Sequence, residues 1–167
     1  MTVMQIIGYA NSGKTTLLCR LIERLVSAGC HVGTVKHDAH CREFDVPGKD
    51  SWRHRKSGAK KTAFVSAAGT AYFEEGEAAL AEIINRMQDV DIVLVEGFKA
   101  APYRKIAVLR NPGDERILHA ADNVVAAAVW ANNGQWDGLG VDTMFDIDAI
   151  EEMADYIAQT ALRREAP

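Results

Sequence analysis

The sequence predicts an α/β fold: a mostly parallel sheet flanked by helices, in a single domain over residues 1–167, with a β-hairpin insertion. Three observations predict it. Short apolar runs at 3–7, 32–35 and 92–95 have strand length, and the last is apolar throughout, as a strand buried on both faces must be. Leu17, Leu18, Leu21, Ile22, Leu25 and Val26 recur at helical spacing between the first two runs. The first run enters that helix through Gly8-Tyr9-Ala10-Asn11-Ser12-Gly13-Lys14-Thr15, which reads G-x-x-x-x-G-K-T, the phosphate-binding P-loop. Strand, glycine loop and helix in that order imply the P-loop NTPase fold.

The elements follow in order. Residues 3–7 are a buried strand and 14–28 an amphipathic helix, with Gly29 placed to close it. Val32–Val35 is a second strand, and strand-helix-strand at this length makes a parallel βαβ unit. Pro47-Gly48 marks a turn, after which Asp50 or Ser51 caps a short helix from Trp52 to Ser57, ended by Gly58. Residues 62–66 and 70–73 flank Ala67-Ala68-Gly69 as a β-hairpin. Glu77–Met87 is helical. Asp91–Gly97, Lys105–Arg110, Val124–Trp130 and Thr143–Phe145 are strands, and Asp146 or Asp148 caps a last helix with Ile147, Ile150, Ala154, Ile157 and Ala161 on one face.

The P-loop residues have physical roles. Gly8 and Gly13 permit backbone angles that other residues avoid and leave room for a phosphate against the main chain. Successive N–H groups converge as an anion nest at the helix N-terminus. Lys14 is expected to reach the outer phosphates, Thr15 to hold Mg²⁺, and Thr16 to bind a second phosphate oxygen. Glu96 ends the apolar strand at its carboxyl end, beside the loop, where a carboxylate serves a Mg²⁺ ion.

Bulk properties narrow the function. Hydrophobic residues make up 48% of the chain and charged residues 25%, an ordinary globular composition. The net charge of −4 argues against broad nucleic-acid or membrane binding, and neither partner is expected. The chain enters its first strand at once, with no signal-peptide pattern, so a cytoplasmic protein is expected. Cys19, Cys30 and Cys41 lack C-x-x-C spacing and read as reduced thiols. His37-Asp38-Ala39-His40-Cys41 has no second ligand cluster to complete a zinc tetrahedron.

Lys36–His40 follows the second strand, at the end of the sheet where such folds bind ligands. There Asp38 is a candidate to hold or orient a metal-bound or attacking water, and with Lys14 it is the catalytic candidate. His37 and His40 are candidates to contact a phosphate or a partner, the alternative being a solvated loop. Lys49, Arg53, Arg55, Lys56, Lys60 and Lys61 oppose only Asp50 within 49–61, a concentrated positive patch in an acidic chain. It reads as a site for a phosphate-bearing ligand or an acidic partner, or as a solvated helix face. Lys99 stands near the site in the turn Gly97-Phe98-Lys99. Asn132 occupies the region where many GTPases carry Asn-Lys-x-Asp, but no Asp follows at that spacing; it is a candidate base contact or part of a simple turn.

Several stretches together resemble the molybdopterin-guanine dinucleotide biosynthesis protein B (MobB) family: Gly8 to Thr16, Val35 to His40, Pro47 to His54 and Val95 to Lys99. The resemblance spans the first two-thirds of the chain. It implies a GTP-binding accessory protein with weak Mg²⁺-dependent GTPase activity, typically a homodimer, that assists a molybdenum cofactor guanylyltransferase joining GMP to molybdopterin. It implies phosphate binding by Gly8 to Thr16 and a metal near Thr15, Glu96 and Asp38. It also makes His37, His40, Lys49, Arg53, His54, Lys56 and Lys99 candidates for binding the pterin or the partner enzyme. The competing readings are an ATP-dependent small-molecule kinase or dethiobiotin synthetase-like ligase, and a non-catalytic nucleotide-sensing scaffold.

Overall fold

The computed structural model describes residues 1–38, 43, 45–133, 136 and 138–162. They fall into two compact units, one drawn from the described residues of 1–37 and 80–162 and one from those of 38–79.

The first unit is built on a six-stranded sheet. Its strands are β1 (Thr2–Gly8), β2 (Val32–Lys36), β5 (Ile92–Glu96), β6 (Arg104–Leu109), β7 (Val124–Val129) and β8 (Met144–Asp146). Their order is β2-β5-β1-β6-β7-β8, and every neighbouring pair is parallel. β5 therefore lies between β1 and β2. From β1 the chain passes to the edge strand β2, returns to β5 between them, and then adds β6, β7 and β8 on the other side; the reversal beside β1 is where open α/β sheets form a ligand crevice.

Alternation along the strands loads both faces. Met4 and Ile6 of β1 face one way, with Leu94, Ile106 and Val108, and are covered by α1 (Lys14–Ser27) and α5 (Ile150–Leu162) through Leu17, Leu21, Leu25, Met153 and Ile157. Fully burying a leucine of this kind stabilises by roughly 2 kcal/mol. The opposite face carries Val3, Val35, Val93 and Val95 under α3 (Leu80–Asn85), and Ile7, Ala107, Leu109 and Val129 under α4 (Arg116–Ala120). The sequence reading extends α3 from 77 to 87, whereas the structure forms only its central turns; it assigns no element to α4, whose five residues include only Ile117 in the core. Gly29 has φ 89° directly after the α1 C-cap Ala28, as expected of a terminating glycine.

Two polar side chains inside this unit have structural duties. Lys105 is fully buried and donates to the carbonyls of Ala101 (2.6 Å), Tyr103 (2.9 Å) and Asp122 (2.8 Å), joining the turns before β6 and β7. Gln5, also fully buried, donates to the carbonyls of Gly97 (2.9 Å) and Phe98 (2.8 Å). Cys19 and Cys30 are free thiols.

The second unit holds α2 (Asp50–Lys56) and an antiparallel hairpin of β3 (Lys61–Ser66) and β4 (Gly69–Glu74). Gly48 has φ 84°, and the Lys49 N–H donates to the Val46 carbonyl at 3.2 Å, closing the expected Pro-Gly turn. α2 starts at Asp50 without a side-chain cap, two residues earlier than the sequence reading. The hairpin exposes Phe64, Val65 and Tyr72.

Candidate functional site

The site forms at the carboxyl ends of β1 and β5. β1 delivers Gly8, and a Cβ there would lie 2.7 Å from Ser12 Oγ and 2.9 Å from the Val108 carbonyl, so the position admits only glycine. The loop then uses left-handed backbone at Asn11 (φ 60°) and Gly13 (φ 98°). Asn tolerates that region better than most side chains, and glycine occupies it freely. α1 starts at Lys14 with no side-chain cap on its first N–H groups and no acid in its first turn, the electrostatic setting of an anion site.

The cleft at this loop, about 480 Å³, is lined by Ala10, Asn11, Gly13, Lys14, Thr15, Thr16, Glu96 and Arg110. Lys14 Nζ donates to the Tyr9 carbonyl at 2.5 Å. Burial lowers its pKa; Glu96 raises it, and the neighbouring Lys99 and Lys36 lower it further. Lys99 Nζ rests 4.7 Å from the centre of the Tyr9 ring.

β5 brings Glu96 opposite Ile6 of β1 and Lys36 of β2 in register. Glu96 is 9% exposed and accepts from the Thr15 hydroxyl at 3.0 Å to each carboxylate oxygen. Lys36 Nζ lies 3.3 Å from the same carboxylate and 3.4 Å from Thr15 Oγ1. Two hard oxygen donors side by side suit Mg²⁺, which keeps water ligands and takes the rest of its shell from phosphate oxygens. Thr15 and Glu96 thus fit the ion. Among the described residues, no three His, Cys, Asp or Glu side chains cluster as a metal group.

The turn after Glu96 is held tightly. Gly97 has φ 96°, and a Cβ there would lie 3.1 Å from His37 Cβ. Phe98 follows at φ 52° and packs against the His37 ring at 4.6 Å between centroids. The Gln5 amide donates to the carbonyls of Gly97 and Phe98 in this turn. His37, Lys36 and Lys99 therefore gather around the carboxylate end of β5.

The remaining expected residues fall elsewhere. Asp38, Lys49, Arg53, His54 and Lys56 belong to the second unit, and His40 lies outside the described residues. Asn132 is exposed in a single 3₁₀ turn, Ala131–Asn133. The charge balance of 49–61 requires a correction. The sequence reading set its cations against Asp50 alone, but Arg55 pairs with Asp45 at 3.7 Å, Lys56 with Glu43 at 3.0 Å and Lys61 with Glu74 at 3.0 Å. Glu43 and Asp45 precede the Pro47-Gly48 turn, and Glu74 meets Lys61 through the hairpin register, so a window on 49–61 missed all three. Lys49 and Lys60 have no carboxylate partner among the described residues.

Sequence reasoning also missed Gln5, Arg110 and Trp130, and placed Lys36 only at the rim. Arg110 and Trp130 each stand directly after a parallel strand, β6 and β7. Their position at the ligand end of the sheet was the available signal.

Comparison with known proteins identifies the family. Residues 3–130 match the family model for molybdopterin guanine dinucleotide synthesis protein B. Molybdopterin-guanine dinucleotide biosynthesis adapter proteins of Haemophilus influenzae and Escherichia coli are each 34% identical, over 93% and 91% of this chain and 86% and 89% of theirs. The crystal structure of Bacillus subtilis MobB superposes with a TM-score of 0.75 at 28% identity, covering 94% of this chain and 98% of that one. The chain shares the fold of that structure, and it belongs to the molybdopterin guanine dinucleotide synthesis protein B family.

Proposed function

We propose that this protein binds GTP with Mg²⁺, hydrolyses it slowly, and acts as an accessory factor to the guanylyltransferase that joins GMP to molybdopterin. The observation that carries the nucleotide part is the Thr15–Glu96 pair at the mouth of an uncapped, lysine-bearing P-loop. The adapter role rests on the relatives, which are named as adapter proteins.

In this reading the N–H groups of the loop and α1 receive the phosphates, and Lys14 turns from the Tyr9 carbonyl to the outer phosphates. Thr15 and Glu96 hold Mg²⁺, which would neutralise charge between the outer phosphates. Lys36 and Lys99 add positive charge around the terminal phosphate, while Asp38 is the candidate to orient water. Among the described residues no strong base is assigned at the loop, in keeping with the proposed weak turnover. Lys49, Arg53, His54 and Lys56, and separately His37 and His40, are candidates for binding the pterin or the transferase, and the exposed hairpin residues Phe64, Val65 and Tyr72 favour self-association as a homodimer.

The test titrates GTP and ATP with Mg²⁺ against wild type and Lys14→Ala, and follows phosphate release with and without the transferase and molybdopterin. GTP preference, slow release by the protein alone and a physical complex with the transferase are expected. ATP preference with stoichiometric phosphorylation of a small acceptor would replace this reading with that of a kinase or ligase.

A further inference from the structure

Two side chains that no motif contains reach the P-loop from the ends of β6 and β7. Trp130 follows β7, and its indole N–H donates to the Ser12 carbonyl at 2.9 Å. Its ring lies against Gly13 so closely that a Cβ there would sit 3.1 Å from it. Arg110 follows β6 and donates from Nη1 to the Asn11 carbonyl at 2.6 Å. Its guanidinium also lies 5.1 Å from the centre of the Trp130 ring, within cation–π range. One stacked pair thus touches three successive loop residues, 11, 12 and 13.

The pair is itself anchored. Asp114 Oδ2 accepts the backbone N–H groups of Arg110 and Asn111, each at 2.9 Å. The Trp130 backbone N–H donates to the Leu109 carbonyl at 3.1 Å, and its own carbonyl accepts the Trp136 indole N–H at 3.0 Å. Trp136 is buried in the cluster under α4. A chain of contacts runs from that core to the loop.

The loop's shape explains why such a pair is needed. An anion nest turns successive N–H groups toward the ligand, which leaves carbonyls facing the other way in need of donors. Here the donors for Asn11 and Ser12 are a guanidinium and an indole. Asn11 also occupies the left-handed region, which costs energy for a residue with a side chain and persists only where surrounding contacts hold it.

We propose that Arg110 and Trp130 are positioning residues that clasp Asn11–Gly13 and hold the P-loop in its anion-receiving form. The proposal rests on the nucleotide-binding reading above and adds to it two residues outside every motif. Because Trp130 contacts the loop, its emission reports what the loop holds.

The experiment measures binding of Mg²⁺–GTP, Mg²⁺–ATP and inorganic tripolyphosphate by calorimetry and by tryptophan fluorescence. It uses wild type, Lys14→Ala, Trp130→Phe, Arg110→Lys and Arg110→Gln, with thermal melts of each. Trp130→Phe keeps an aromatic ring, though a smaller one, and removes the donor; about tenfold weaker binding of all three ligands is expected. Arg110→Gln is expected to weaken them similarly and Arg110→Lys to recover part of the loss. At saturating ligand the emission change is expected in wild type and absent in Trp130→Phe, in which Trp52 and Trp136 remain. Wild type that binds none of the ligands overturns the nucleotide reading, and the clasp with it. Wild type that binds, with Trp130→Phe and Arg110→Gln binding equally well, overturns the clasp alone. Weakened binding that only tracks a fallen melting temperature, with no emission change from Trp130, also overturns it.

Discussion

Replacing Glu96 with Gln tests the charge logic of the site. The substitution keeps the size of the side chain and an oxygen for the Thr15 hydroxyl, and it removes one negative charge at a position 9% exposed. Lys36 Nζ is 3.3 Å from that carboxylate. Two unit charges at this distance interact by about 5 kcal/mol at an effective dielectric of about 20, and by about 1.3 kcal/mol in bulk water. The Lys36 side chain is 59% exposed, so the working value is near the lower end, about 1 kcal/mol. The same carboxylate repels a bound triphosphate. At roughly 8 Å and an effective dielectric of about 40, each unit of phosphate charge adds about 1 kcal/mol to that repulsion. Glu96→Gln is therefore expected to bind GTP at least about sixfold tighter than wild type in chelator. It is also expected to lose most of the affinity that Mg²⁺ adds in wild type, with the melting temperature falling about 2–4 °C for the lost ion pair. Calorimetric titrations with EDTA and with Mg²⁺ measure both effects. Weaker binding in chelator together with an unchanged Mg²⁺ effect would refute the argument and leave Glu96 as a mere tether for Thr15.

Other outcomes follow from single contacts. Lys105→Met strands three carbonyls inside the sheet's turns; a loss of about 3–5 kcal/mol in urea unfolding is expected, and less than 1 kcal/mol would mean these groups find other donors. Gly97→Ala must adopt φ 96° against His37 Cβ, with an expected cost of about 1–3 kcal/mol in the same assay. The His31 backbone N–H, then its ring, lowers the Asp91 pKa below its ordinary 3.8. That contribution is present above pH 3.8 and is lost as pH falls through the lowered folded value, so acid titration of Asp91→Asn should show a shallower loss of stability there than wild type. Double reversal Arg53→Glu with Lys56→Glu leaves Glu43 facing a like charge; weakened transferase or pterin binding with unchanged GTP affinity is expected, and unchanged binding of all three would make the surface a solvated face.

Much of the site was legible because it is local. Gly8 to Thr16 are contiguous, and each residue type answers a need of the loop itself. Glu96 could be placed because an apolar strand in a parallel sheet delivers its last residue to the ligand end. The six-stranded sheet was legible for a related reason, since buried strands read as apolar runs whatever their order. The hairpin was readable from its glycine loop, and the structure shifts its ends by only one residue each way. The charge of 49–61 was misjudged because its partners, Glu43, Asp45 and Glu74, lie outside that window in sequence and beside it in space.

The sequence by itself determined the phosphate loop, the carboxylate that faces it and the class of fold, because these depend on residue type at short spacing and on strand burial. Only the tertiary structure decided the strand order. It places β5 between β2 and β1, so that Lys36, Glu96 and Thr15 meet although 81 residues separate the last two. It also decided what braces the loop. Arg110 is 99 residues from Asn11 and Trp130 is 118 from Ser12, and no local pattern encodes either contact. They exist because β6 and β7 end at the same level as β1 in a parallel sheet, which puts the residue after each strand at the loop.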